Sequence, residues 1–499
     1  MAPSGDRLTG LDASFLHLET PSSHMHVAGV MLLDGSPPAH EDLVEAISSR
    51  LHLVPRYRQR LAFVPFEQGR PRWVDDPHLN LNYHVRTTAL PAPGSENQLK
   101  ALAGRVFSQQ LDRDKPLWEL WVVEGLDGGE RFAVLSKTHH ALVDGISGVD
   151  IMSVLFDTSP EPEAPPDPGK RWLPRPLPSR TQLLAEALIE RATVPAEVVR
   201  GVRAVFRAPR RIASAAVGSL AGIGAMAWAG INPAPSSPYN VPIGPHRRFT
   251  WVRVSLADVK AIKGALGGTV NDVMLAIVAG GLGRDLRRRG VDVRGLELKA
   301  MVPVSVRAQE ARGALGNQVA AMMAPLPVGA EDAVTRFETI GTAMKRLKEG
   351  GQAVGAKVMT DLSGFAPPNI MSQAARVVAR QRFFNVVVTN VPGPQFPLYL
   401  MGREMTEAFP MVPLLDRQSL GVAIMSYNGH VNFGLVGDYE VMDDIDQLAK
   451  DFRASLLELA EAAGVELTIS EPARSGGRNG HRPRRRVGTP EAVPAPDSQ

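Results

Sequence analysis

His139-His140-Ala141-Leu142-Val143-Asp144-Gly145 places two adjacent histidines just ahead of an acid and a glycine. An imidazole titrates near neutrality, so it can take and return a proton at working pH. A general base must also sit within hydrogen-bond reach of the proton it removes. Residues 132–138 (FAVLSKT) read as an apolar, β-branched strand feeding this motif. Strict alternation puts Phe132, Val134, Ser136, Thr138 and His140 on one face, and Lys137 and His139 on the other. The two histidines therefore take different roles, with His140 the candidate base and His139 a supporting residue. Asp144 can fold back to brace the loop or orient an imidazole, and Gly145 permits a sharp turn into the apolar run 149–156. A histidine pair by itself could equally be a satisfied structural feature. No metal is expected, because adjacent histidines lack the i, i+4 spacing of a helical zinc pair and the chain has no cysteine.

A second constellation is Thr269-Val270-Asn271-Asp272, between Gly267-Gly268 and the apolar run 273–282. Thr followed three residues later by Asp reads as a capping-box helix start. Asn271 then falls in the first turn, near unpaired backbone N–H groups and the positive end of the dipole. Such a place can support a developing oxyanion, or it can be capping chemistry alone; Asp272 reads as structural. Trp118, between Leu117 and Leu120, reads as core. Ser305 has no Gly-x-Ser-x-Gly elbow, which argues against a serine nucleophile. No glycine-rich phosphate loop is present, so neither nucleotide triphosphates nor NAD are implied. Arg287, Arg288 and Arg289 close a helix, where cations suit the dipole, though a phosphate could also meet them.

The elements that must position these residues form an α/β chain. At 499 residues it exceeds a usual single core, and its 44% hydrophobic and 21% charged residues are those of a globular protein. Region 1–156 alternates strands and helices and ends with the histidine motif. Region 157–180 is proline-rich, the composition of an extended linker. Region 181–239 holds a basic amphipathic helix, 197–211, and then the start of a charge-free stretch that runs from 212 to 245. Large aliphatics are too few there for a convincing membrane span; the segment reads either as a surface resting on anionic lipid or as a buried connector. Region 240–470 is a second α/β unit with a hairpin signal at Asn428-Gly429 and a closing helix over 443–463. Region 471–499 reads as a basic disordered tail, whose six arginines against three acids account for the whole formal charge of +3. The body is thus about neutral, which argues against nucleic-acid binding. The absence of cysteine and of an apolar leader fits a cytoplasmic protein.

The histidine heptapeptide resembles the HHxxxDG signature shared by acyl-CoA-dependent acyltransferases and peptide-synthetase condensation domains. Further blocks narrow the likeness: LTGLDASF at 8–15, PRWVDDP at 71–77, PLWE at 116–119, TVNDV at 269–273, VPVSVR at 302–307 and NVPGP at 390–394. Together, in this order, they are similar to the bacterial wax ester synthase/diacylglycerol acyltransferase family. The resemblance implies two chloramphenicol acetyltransferase-like domains of mixed sheets flanked by helices, with an active-site channel between them. It also implies His140 as general base and oxyanion support from Asn271; Arg307 is a candidate partner for Asp144, as an Arg–Asp pair occurs in related folds, but the sequence does not identify that partner. The implied partners are acyl-CoA as cosubstrate, with no further cofactor, and diacylglycerol or a long-chain alcohol as acceptor. The expected setting is the periphery of the inner membrane or lipid droplets. Two other classes share parts of the pattern. A carrier-dependent condensation enzyme has the histidine motif without the PLW and ND blocks. A non-catalytic lipid-binding or droplet-coating protein would be marked by a broken motif, and this one is intact.

Overall fold

The computed structural model describes residues 6–143, 154–161, 172–189, 233–305, 319–349 and 383–468. The first half supplies strands β1 (Asp6–Arg7), β2 (His26–Asp34), β3 (Gln59–Ala62), β4 (Arg72–Asp75), β5 (Val85–Ala89), β6 (Trp118–Leu126) and β7 (Arg131–His139). The second half supplies β8 (Arg247–Ser255), β9 (Leu298–Ser305), β10 (Val319–Leu326), β11 (Val386–Pro392), β12 (Leu398–Leu400), β13 (Arg403–Met411), β14 (Leu420–Tyr427) and β15 (His430–Asp438). They build two six-stranded mixed sheets, ordered β12-β13-β2-β7-β6-β5 and β10-β9-β11-β14-β15-β8, and a small sheet β1-β4-β3. Parallel pairing occurs at β5–β6 in the first and on both sides of β11 in the second. This is the mixed α/β architecture expected.

Both faces of the first sheet are covered, so β7 is buried from Phe132 onward and apolar on both faces from Phe132 to Leu135. Phe132 and Val134 enter one core cluster, and Ala133 and Leu135 enter another. Trp118 is buried core: its Nε1 donates to the Tyr57 carbonyl at 2.9 Å and its ring stacks on His84. Asn428 and Gly429 both take positive φ and join β14 to β15 in a two-residue turn, with Tyr427 facing His430. The closing helix spans Ile445–Ala462.

Two regions depart from a simple linear division. β12 and β13 lie within 240–470, yet β13 pairs antiparallel with β2, from Met405 opposite Leu33 to Met411 opposite Ala28. The proline-rich region is also fastened down where it is described, rather than spanning freely. Asp157 exchanges two backbone hydrogen bonds with Tyr399 at 2.8 Å and pairs with Arg50 at 2.9 Å. Arg175 donates its backbone N–H to Asp75 at 3.0 Å. Residues 190–232, which include the basic helix and most of the charge-free stretch, and residues 469–499 lie outside the described residues. Among those described, no single helix is long and apolar enough to cross a membrane.

The two units share a core. Phe249, Trp251 and Val436 of the second sheet pack with Val30, Leu32 and Phe409 of the first. Gly434 permits the closest approach, because a Cβ there would lie 1.8 Å from the Pro410 carbonyl oxygen. Tyr427 ties the sheets together, donating to the Met405 carbonyl at 2.8 Å and accepting from the Leu398 N–H at 2.9 Å.

Candidate active site

β7 stops at His139, and His140 opens the short helical turn His140–Val143. Strand alternation therefore applies to Lys137 and His139, both buried, while the direction of His140 is set by the turn. The ladder runs out over three successive amides: the first two still follow the β6 and β2 registers, and the third turns back to a side chain. His139 N–H donates to the Leu117 carbonyl at 2.9 Å, His140 N–H to the Met25 carbonyl at 2.8 Å, and Ala141 N–H to His139 Nδ1 at 3.1 Å. Each is a satisfied donor, so the turn holds without strain. On the same side as His139, Lys137 Nζ donates to the carbonyls of Val106 and Gln109 and pairs with Glu119 at 3.2 Å. Burial lowers the Lys137 pKa, and Glu119 offsets only part of that.

The 8–15 block folds into the helix Gly10–Leu18, with Thr9 Oγ1 accepting the Asp12 N–H at 3.1 Å as its N-cap. That helix delivers Phe15, whose ring stacks on His140 with centroids 4.1 Å apart and planes at 27°. The residue after it, Glu19, is buried beside His139. Its Oε1 accepts the Met25 N–H at 2.8 Å and lies 3.4 Å from His139 Nε2, while Oε2 accepts from Arg113 Nε at 3.1 Å. Burial alone would raise the Glu19 pKa; His139 and Arg113 outweigh it and hold the carboxyl well below its ordinary 4.5. Sequence reasoning did not single out Glu19. The signal available was its place four residues beyond the 8–15 block, just past the helix that delivers Phe15. Two further imidazoles stand nearby, and burial lowers the pKa of both His24 and His26; His26 spends Nε2 on the Phe107 carbonyl at 2.6 Å.

In the second unit the helix Val270–Arg288 starts with a reciprocal capping box. Thr269 N–H donates to Asp272 Oδ2 at 2.8 Å, and Asp272 N–H to Thr269 Oγ1 at 3.2 Å. Asn271, half-buried in the first turn, accepts from Asn390 Nδ2 at 3.2 Å. This bond joins two blocks, 269–273 and 390–394, that are distant in sequence. Asn390 lies opposite Ile424 on β14, and the next residue, Met425, packs against the core cluster that contains Ala141 and Leu142. One packed core thus touches both the histidine turn and the strand beside the asparagine pair. Gly268 precedes the box at φ +73°, and a Cβ there would lie 2.9 Å from Phe337 Cζ. Gly268→Ala is expected to destabilise the protein by roughly 1–2 kcal/mol through left-handed strain, more if Phe337 cannot yield. An unchanged urea unfolding midpoint would contradict this.

Arg288 and Arg289 are engaged with Asp285, Asp444 and Asp451 rather than presented to a ligand. Asp144, Gly145 and Arg307 lie outside the described residues. Among those described, no group of three His, Asp or Glu side chains is disposed to hold a metal ion.

Comparison with known proteins decides what this arrangement belongs to. The sequence profile of the wax ester synthase/diacylglycerol acyltransferase catalytic domain matches residues 8–274, and that of the family's C-terminal domain matches 315–460. The chain belongs to the wax ester synthase/diacylglycerol acyltransferase family. Two Mycobacterium tuberculosis proteins named as diacylglycerol O-acyltransferases are 33% identical to this family member. One matches over 92% of this chain and 91% of its own, and the other, tgs1, over 91% and 96%. The solved wax ester synthase/diacylglycerol acyltransferase from Marinobacter aquaeolei VT8 superposes with a TM-score of 0.62 at 27% identity, covering 92% of this chain and all of that one. The first condensation domain of the CDA synthetase shares the fold, with a TM-score of 0.54 at 16% identity over 93% of this chain and all of that one. As a wax ester synthase/diacylglycerol acyltransferase family member, the chain is an acyltransferase with the two-domain fold of that group.

Proposed function

We propose that the protein transfers a long-chain acyl group from acyl-CoA to the hydroxyl of diacylglycerol, giving triacylglycerol, with long-chain alcohols as alternative acceptors giving wax esters. The observation that carries this reading is the intact histidine pair in a family acyltransferase: His139 is tied into the fold, and His140 is set on the turn beyond it. His140 Nε2 takes the proton of the acceptor hydroxyl as the oxygen attacks the thioester carbonyl. The tetrahedral oxyanion is supported by Asn271, which the Asn390 amide orients. Collapse breaks the C–S bond, and the imidazolium returns its proton to the departing CoA thiolate. The products are ester and CoA, and the balance needs no metal, redox group or covalent intermediate. In this reading Asp144 braces the motif loop and Gly145 turns the chain away from it.

The deciding experiment incubates the full chain with radiolabelled palmitoyl-CoA and either dioleoylglycerol or hexadecanol. Labelled triacylglycerol, exceeding wax ester, is the expected result. Folded protein that yields no ester with either acceptor would overturn the reading.

An acceptor dissolved in lipid implies that the enzyme meets a lipid surface, and we place that contact on the cytoplasmic side of the inner membrane or at lipid droplets. Support comes from the β3–β4 connection. Phe66 is 83% exposed at φ 59° and Phe63 is also exposed. The described helical residues 180–189 pack beside this connection through an Arg72–Glu186 pair at 3.0 Å and carry exposed Leu188 and Ile189. A solvated phenylalanine in left-handed backbone is held there at a cost, and lipid would offset it. Replacing Phe63 and Phe66 together by Asp is expected to weaken binding to phosphatidylglycerol-containing vesicles roughly tenfold or more. Wild-type co-sedimentation of that variant would remove this face from consideration.

A further inference from the structure

We infer that Glu19 is a positioning residue for His140, acting through three hydrogen bonds and one close polar contact that together circle the motif turn; this rests on the reading of His140 as the base. The circuit is short. Glu19 Oε1 accepts the Met25 N–H at 2.8 Å, and the Met25 carbonyl accepts the His140 N–H at 2.8 Å. Beyond His140, the Ala141 N–H donates to His139 Nδ1 at 3.1 Å, and His139 Nε2 returns to Glu19 Oε1 at 3.4 Å. That last contact is too poorly aligned to be a hydrogen bond, so it acts as a charge–dipole contact. Its direction still matters. With Nδ1 accepting from Ala141, Nε2 is the ring nitrogen that carries a proton, and it is the one nearer the Glu19 carboxylate.

The other Glu19 oxygen fixes the circuit to the ring beneath the base. Arg113 Nε donates to Oε2 at 3.1 Å, and the Arg113 guanidinium also donates to the Leu16 carbonyl at 3.1 Å. Leu16 follows Phe15, on which His140 stacks. One buried carboxylate therefore joins the backbone that holds the His140 amide, the neighbouring imidazole, and the helix that supplies the stacking surface. Glu19 touches no reacting atom in this arrangement. A base whose backbone and stacking partner share one anchor keeps a single approach to its substrate, and a misplacement of about 1 Å can cost on the order of 10²-fold in rate.

The test is Glu19→Gln, which keeps an oxygen for the Met25 N–H but removes the charge facing His139 and Arg113. Steady-state rates with palmitoyl-CoA and dioleoylglycerol are expected to show kcat lowered roughly tenfold to a hundredfold, with KM for both substrates within about twofold of wild type. In a His140→Ala background the same change should lower kcat no further, since its effect runs through His140. If Glu19→Gln fails to fold, Arg113→Gln loosens the same carboxylate from the other side and is expected to show the same kcat-only loss. A folded Glu19→Gln enzyme with wild-type kcat would overturn the positioning role while leaving the base intact. Wild-type turnover in His140→Ala would instead overturn the base assignment and this inference with it.

Discussion

Alanine at position 140 is expected to lower acyl transfer by about 10²–10⁴-fold, the range that a positioned general base contributes. The loss should fall on kcat and kcat/KM together, because the proton is in flight only in the transition state. The fold should survive. The bonds that shape the turn at this residue are made by backbone, His140 N–H to the Met25 carbonyl and Ala141 N–H to His139, and alanine keeps both. What is lost structurally is the stack on Phe15, worth about 0.5–1.5 kcal/mol for such a ring pair. Initial rates with labelled palmitoyl-CoA, beside a urea unfolding curve, separate the two effects. A folded variant with wild-type turnover would remove His140 from the chemistry.

The second large effect is expected at Arg253, away from the histidines. Its side chain, on β8, reaches Glu96 in the first turn of the helix Glu96–Ser108 and Glu407 on β13, with contacts at 3.1 and 2.9 Å among others. Burial alone would lower the Arg253 pKa, but the two carboxylates outweigh it and raise it. For Glu96 burial would raise the pKa, and Arg253 holds it below its ordinary 4.5. Arg253→Ala strands a buried Glu407 carboxylate, and removing one partner of a buried pair costs about 3–5 kcal/mol. Arg131, 3.6 Å from Glu96 and 3.9 Å from Glu407, moderates this, so the lower end is expected. The sign with pH follows from the depressed carboxylate. Its contribution is complete above pH 4.5 and fades as pH falls through the lower folded value, so the gap between wild type and variant narrows in acid. A urea midpoint for Arg253→Ala equal to wild type at pH 7 would show that the clamp contributes nothing.

What could be read in advance follows how local each cause is. The β14–β15 turn needs two residues tolerant of positive φ, and Asn428-Gly429 state that need directly. The Thr269–Asp272 capping box is complete within four residues. Strand alternation correctly separated Lys137 and His139 from Phe132 and Val134, but it could not see that β7 ends one residue before His140. That end is made where the Ala141 N–H turns back to the His139 ring instead of to a neighbouring strand, a choice that side-chain alternation does not encode. Glu19 was hidden because its partners His139 and Arg113 are remote in sequence, and nothing in its own surroundings marks a buried carboxylate. The Asn271–Asn390 bond was half visible, since both blocks carried the family likeness while their contact is purely tertiary. The arginines at 287–289 are a conspicuous cluster in the sequence, and two of them, Arg288 and Arg289, are taken up by neighbouring acids.

The pairing of β13 with β2 also sets a schedule for the nascent chain. β2 ends at Asp34, and the strand that covers its outer edge begins only at Arg403. At about 5–20 residues per second the ribosome leaves that edge open for roughly 20–70 s. During that time the row of unpaired amides and carbonyls along β2 is a template for any other extended chain. Neither unit can therefore be finished before nearly the whole polypeptide has emerged, and severed halves would have to find each other to complete the first sheet.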